Sequence, residues 1–219
     1  AVDAGMGGNE EALIARLKLK DAAVIKPGEP LSPPIKESAL SPVVVGLGPC
    51  GLFAALYLAR SGLKPLVLER GEPIIRRARS VNALFSKGIL NPQSNMQFGE
   101  GGAGTFSDGK LYSQIKDPQF RGRKVLTEFV KAGAPPEILY VSKPHIGTFR
   151  LVTVVENMRA AIEALGGEMR FQSRVEAIDI EHGQVRGLRL AGGETIAATH
   201  IVLAVGHSAR DTFQMLHQC

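Results

Sequence analysis

The stretch that decides the fold is VVVGLGPCGLFAALYLARSGLKPLVLERG, Val43 to Gly71. Three β-branched residues, Val43-Val44-Val45, run into glycines at 46, 48 and 51, and an Ala/Leu-rich segment follows at once. An unbroken β-branched run suits a strand covered on both faces, whereas the Ala/Leu segment favours a helix. Gly62 breaks that helix, and Leu66-Val67-Leu68-Glu69 supplies a second short apolar run. Strand, helix, strand in this order predicts a parallel βαβ unit. Its loop, Gly46-Leu47-Gly48-Pro49-Cys50-Gly51, has the spacing G-x-G-x-x-G. Gly46 permits a tight turn, Gly48 removes a side chain where a pyrophosphate must come near, and Gly51 lets helix and strand pack closely. Free amides at the helix start, with the positive end of its dipole, would then hold the phosphates, which makes Gly46, Gly48, Pro49, Cys50 and Gly51 the candidate cofactor-binding residues of the loop. Glu69, with Arg70 beside it, lies 23 positions after Gly46. A carboxylate there can accept bonds from ribose hydroxyls and would repel a 2′-phosphate, so this site is expected to reject NADP. The competing reading is a set of turn glycines and a surface glutamate.

Composition narrows the class. The chain has 219 residues, 44% of them hydrophobic and 21% charged, enough for one large or two small globular domains. Its net charge of +5 is scattered and has no interleaved aromatics, which argues against nucleic acid as a partner. Cys50 and Cys219 are far apart and form no C-x-x-C pair, so neither a disulfide framework nor a cysteine-based zinc site is expected. No apolar run has membrane-spanning length, and the N-terminal AVDAGMGGNE lacks a signal-peptide core. A cytoplasmic protein with no membrane partner is the expectation.

Residues 1–41 differ in texture from the rest. NEEALIARLKLK predicts a short helix with Asn9 as N-cap, and five prolines between Pro27 and Pro42 predict an extended connector. Residues 42–219 predict the nucleotide-binding domain. After the βαβ unit, helices are expected from about Ile74 to Phe85, in GRKVLTEFVKAGAPP up to Gly133, and in TFRLVTVVENMRAAIEALGG up to Gly166. Three strands follow, EMRFQSRVEAIDIE, QVRGLRLA and ETIAATHIVLAVG, with turns at His182-Gly183 and Gly192-Gly193. The sum is an α/β architecture with a β meander.

Ile201 to Gly206 resembles the second strand-and-turn motif of two-dinucleotide-binding flavoproteins, in which an apolar strand ends in Ala-x-Gly beside the cofactor. Ala204 and Gly206 occupy those positions, and Val175 stands where such folds present backbone to adenine. Together with NPQSNMQFGEGGAGTFSDGKLYSQIKDP, KVLTEFVKAGAPPEILYVSKPHIGTFRL and VLAVGHSARDTFQMLH, the chain from Pro42 onward resembles the uncharacterised FAD-dependent dehydrogenases, also called NAD(FAD)-utilizing dehydrogenases. The resemblance implies a Rossmann-like FAD-binding domain, incomplete at its C-terminus, of an oxidoreductase that moves hydride through flavin N5. FAD is the implied cofactor, NAD(P)H a possible electron donor, and the partner a small-molecule substrate of unknown identity. An NAD-binding dehydrogenase without flavin and a non-catalytic nucleotide-binding module are the alternatives.

The glycine-rich segment around Gly99 to Gly109 reads equally, from its residues alone, as a surface loop with turn glycines or as a loop that approaches a ligand. The resemblance favours the second. It implies cofactor contacts from Gly101, Gly102 and Gly104, hydroxyl bonds from Thr105 and Ser107, and charge stabilisation by Lys110. His145 and His207, in polar loop surroundings, are the candidate catalytic acids, bases or substrate anchors. No metal site is expected.

Overall fold

The computed structural model describes residues 10–18, 40–113, 115–119 and 121–218. In chain order the elements are α1 (Glu10–Leu17), β1 (Val43–Val45), α2 (Pro49–Arg60), β2 (Leu66–Leu68), α3 (Ile74–Lys87), α4 (Arg121–Lys131), α5 (Thr148–Ala164), β3 (Glu168–Arg170), β4 (Val175–Glu181), β5 (Gln184–Leu190), β6 (Thr195–Ala197), β7 (Ile201–Leu203) and α6 (Arg210–His217). The expected N-cap Asn9 and most of the proline-rich connector lie outside the described residues.

β1 sits in the middle of a four-stranded parallel sheet of order β3-β2-β1-β7, with Val43 opposite both Leu66 and Ile201. Successive side chains on a strand point to opposite faces, and here each face meets its own apolar layer. Val44 and Val67 face α2 and α5, in a core with Leu52, Ala55, Leu56, Val154, Met158 and Ile162. Val43, Val45, Leu66 and Leu68 face the other way, onto Val175, Leu188, Leu190 and Ala198. Those residues belong to an antiparallel meander, β4-β5-β6, and to its exit. Burial on both sides is why β1 and β2 are β-branched or leucine throughout, and each fully buried aliphatic is worth about 1.5–3 kcal/mol.

Two predicted strands are each divided. EMRFQSRVEAIDIE yields β3 in the parallel sheet and β4 in the meander, because Gln172 takes a left-handed conformation (φ 54°) and the chain leaves the sheet there. Gln172 and Ser173 donate to the carbonyls of Gly71 and Glu69 at the turn. ETIAATHIVLAVG likewise divides into β6 and β7 around Ala198, which is fully buried between the sheets. The helix α6 had no counterpart in the sequence reading.

Candidate functional site

A cleft of about 800 Å³ opens at the carboxyl ends of β1, β2 and β7, where Val45, Leu68 and Leu203 meet the start of α2. Open parallel sheets bind ligands there, and the volume falls within the range of small-molecule and cofactor sites. Gly46 turns out of β1 at φ 97°, a region a side chain resists, and a Cβ on it would lie 2.5 Å from the Ala204 carbonyl oxygen. A Cβ on Gly51 would lie 1.9 Å from the Gly46 oxygen. Both glycines are demanded by the protein's own packing. Gly48 is not. Its backbone is extended (φ −75°, ψ −174°) and a Cβ would meet only Gly102 Cα, at an ordinary 3.7 Å.

α2 begins at Pro49, with Gly48 as its N-cap and no side chain capping it. Leu52 makes the first intrahelical bond, to the Gly48 carbonyl. The amides ahead of it, on Gly48, Cys50 and Gly51, have no carbonyl one turn back, and Pro49 has no N–H to satisfy. Bare donors, a dipole end and a wall without side chains fit a diphosphate.

Glu69 is buried at the end of β2, and most of its carboxylate's acceptor capacity is taken by the protein itself. Oε2 accepts the Leu47 amide at 2.8 Å, and Oε1 accepts the amides of Gly71 at 2.8 Å and Gly99 at 3.1 Å. A carboxylate offers about four acceptor positions, so one on Oε2 is left for a ligand hydroxyl. Glu69 therefore staples three loops together first. Arg70 stands at the cleft mouth with its guanidinium 4.1 Å over the Phe98 ring, Nε donating to Gln93, and both Nη groups on Asp211 at 3.0 and 2.9 Å. This bidentate pair holds the Asp211 carboxyl below its ordinary range. It also ties α6 to the rim, where Thr212, Phe213 and Leu216 form one wall.

The glycine-rich segment docks on the phosphate loop. Gly101 donates its amide to the Leu47 carbonyl at 2.8 Å, and Gly102 packs against Gly48 and Pro49. Of the residues assigned to this segment from the sequence, Gly102 and Gly104 line the cleft. Gly101, Thr105, Ser107 and Lys110 lie outside its lining. Thr105 is buried and its hydroxyl donates to the Gly102 carbonyl, while the Ser107 hydroxyl donates to Gly104 and accepts from Gly109. Both hydroxyls shape the loop. Lys110 is exposed, 3.6 Å from Asp108, on a short bridge with His145. That bridge carries His145 away from the cleft, whereas His207 lines it, with Nδ1 3.3 Å from the Ser208 hydroxyl. Val175, Ala204, Gly206 and Cys50 also line the cleft; Gly51 does not.

Beneath the segment lies a cluster the sequence reading missed. Arg77 of α3 is wholly buried and donates to the carbonyls of Asn95, Met96, Gly99 and Glu100. Burial lowers its pKa to about 10 against the pull of Glu69 and Glu100. Glu100, equally buried, accepts the Ile74 amide at 2.7 Å and lies 2.8 Å from Arg159 Nε, although that N–H is turned out of hydrogen-bond alignment. Burial pushes the Glu100 carboxyl up. A signal was present: Ile74, Arg77 and Val81 recur at helical spacing and are the buried residues of α3. One arginine of IIRRARS thus falls in the apolar stripe.

A parallel sheet with an uncapped helix start at its carboxyl edge, and a meander on its far face, defines a Rossmann-type dinucleotide-binding domain of the flavoprotein kind. Within that class the chain belongs to the pyridine nucleotide-disulphide oxidoreductase family, whose profile matches residues 41–216. The flavoprotein resemblance seen in the sequence holds at this level. A Clostridium beijerinckii protein described as uncharacterized is 47% identical over 211 residues, covering 95% of this chain and 39% of the relative. Thioredoxin reductase of Bacillus subtilis is 30% identical over 122 residues, 47% of this chain and 39% of the enzyme. The chain thus spans about two fifths of the curated relatives it matches. Among solved structures, Thermovibrio ammonificans THI4 superposes with a TM-score of 0.53 at 19% identity, covering 81% of this chain and 61% of that one. Among the described residues no helix is long and apolar enough to cross a membrane, and no group of residues could hold a metal ion. The sequence carries two cysteines, Cys50 and Cys219, which are not adjacent.

Proposed function

We propose that residues 42–219 form the unit that grips the ADP half of FAD, within an FAD-dependent oxidoreductase that takes NAD(P)H as electron donor and acts on a small molecule. Bound flavin supplies the redox chemistry, accepting and releasing hydride at N5. The chain's own residues bind and orient it. The amides of Gly48 and Cys50, which line the cleft, take the diphosphate, and the open position on Glu69 Oε2 takes one ribose hydroxyl. Val175 backs the adenine, and Ala204 to Gly206 flank the cofactor just after β7. His207, at the rim, is assigned the proton-transfer or substrate-anchoring role in preference to His145, which stands off the cleft.

The observation that carries this reading is Gly48: nothing in the protein requires a glycine there, yet a side chain would stand in the cleft at the uncapped start of α2. The experiment is to add FAD to the purified chain, remove the excess, and record the visible spectrum. The two bands of oxidised flavin, retained at one equivalent, are expected. A protein that stays colourless and binds NAD instead overturns the flavin reading in favour of a plain NAD-binding dehydrogenase. One that binds neither is no dinucleotide site. Anaerobic bleaching by NADH or NADPH then tests the electron donor.

A further inference from the structure

Gly48 N–H, the first amide the cleft offers to an anion, is the far end of a hydrogen-bonded chain that starts on a buried cation. Arg77 Nη1 donates to the Glu100 carbonyl at 2.6 Å. The next atom pair of that peptide, Gly101 N–H, donates to the Leu47 carbonyl at 2.8 Å. The Leu47–Gly48 peptide then ends in Gly48 N–H. None of the peptide bonds is cis, so in both units the carbonyl and N–H point in opposite directions and the two dipoles align head to tail. Among the described residues Gly48 N–H meets no protein acceptor.

The surrounding charges leave Arg77 free to act through this chain. Among the described residues it joins no ion pair, and its other donors go to carbonyls and to Thr105. The two carboxylates that face it are engaged elsewhere. Glu100 is held by Arg159 and the Ile74 amide, and Glu69 by three amides. One of those three is the Leu47 N–H, so both peptide planes flanking Leu47 are fixed, and with them the direction of Gly48 N–H.

We infer that Arg77 is a positioning residue for the anion site: through the Glu100–Gly101 and Leu47–Gly48 peptides it aims and polarises the Gly48 amide toward a diphosphate. Aligned hydrogen bonds strengthen one another in a medium of low dielectric, and the buried charge adds its own attraction. The inference rests on the diphosphate reading above.

The test measures dissociation constants of the full 219-residue chain for ADP and for adenosine, in the wild type and in Arg77→Met and Arg77→Lys. Adenosine reports the adenine and ribose contacts alone. The preference for ADP should fall about ten-fold in Arg77→Met, the size of a unit charge acting over on the order of 10 Å at a protein's effective dielectric. In Arg77→Lys, which keeps the charge, it should stay within about three-fold of wild type although carbonyl bonds are lost and the melting temperature falls. A purely structural arginine would instead move both variants alike, or both ligands alike; either result overturns the inference. Where Arg77→Met does not fold, Arg77→Lys decides: a retained preference supports the relay, and a ten-fold loss in the folded variant overturns it. A wild type with no preference for ADP over adenosine overturns the diphosphate reading itself, and the relay with it.

Discussion

Gly48→Ala separates a glycine the fold needs from one a ligand needs. The added methyl meets Gly102 Cα at 3.7 Å and nothing nearer, in a backbone conformation open to any residue. The cost to the folded chain is therefore close to zero, and the stiffer unfolded chain even favours folding by about 0.4–1 kcal/mol. Melting temperature should hold or rise slightly. Ligand affinity should not. A diphosphate seated on the bare amides is pushed off by a methyl at the N-cap, and a hydrogen bond to a charged group is worth about 1.5–3 kcal/mol. Losing one such bond weakens binding by about 10- to 150-fold. Titration calorimetry with ADP and FAD, alongside thermal unfolding of the same samples, reads both quantities. Gly51→Ala is the control: its methyl would fall 1.9 Å from a backbone oxygen, so that variant should not fold at all. An alanine at 48 that binds ADP as tightly as glycine would refute the placement of the diphosphate, and one that unfolds would refute the packing argument.

Glu69→Ala should cost about 3 kcal/mol or more of stability, because three amides lose a charged acceptor at once. Chemical denaturation checks this, and a variant as stable as wild type would mean the carboxylate is free after all. Acid sensitivity should trace to Glu128 of α4, a buried carboxylate bonded by Arg60, Lys124 and Lys131 and held down at about 2 from an ordinary 4.5. Its folded-state pKa is depressed, so the stabilisation is complete above about pH 4.5 and is lost as pH falls through about 2. The three cations are roughly half exposed and screened, which leaves about 2 kcal/mol. Glu128→Gln should remove that fraction of stability at pH 7 and flatten the acid limb of the unfolding profile. Breaking the half-exposed Arg70–Asp211 pair with Asp211→Asn should cost under about 1 kcal/mol in stability. It should also raise amide exchange in α6 selectively; unchanged exchange there would show that the helix is held by its apolar wall alone.

The βαβ unit, its glycine loop and the acid closing β2 were legible in the sequence because each is a local instruction: a run of β-branched residues, a helix former, a turn, at fixed spacing. The partners of Glu69 were not, since the amides it holds belong to Leu47, Gly71 and Gly99, and the last is brought in by the path of the chain after α3. The same holds for Arg77, whose place in the helical stripe could be read while the carbonyls awaiting it could not. Spacing likewise gave one strand at 168–181 and another at 194–206. Only the stacking of two sheets determined that each must break, so that one half pairs with β2 or β1 and the other joins the meander. Local geometry follows from neighbours along the chain. The charges and donors gathered around the cleft come from residues tens of positions apart, and packing alone brings them together.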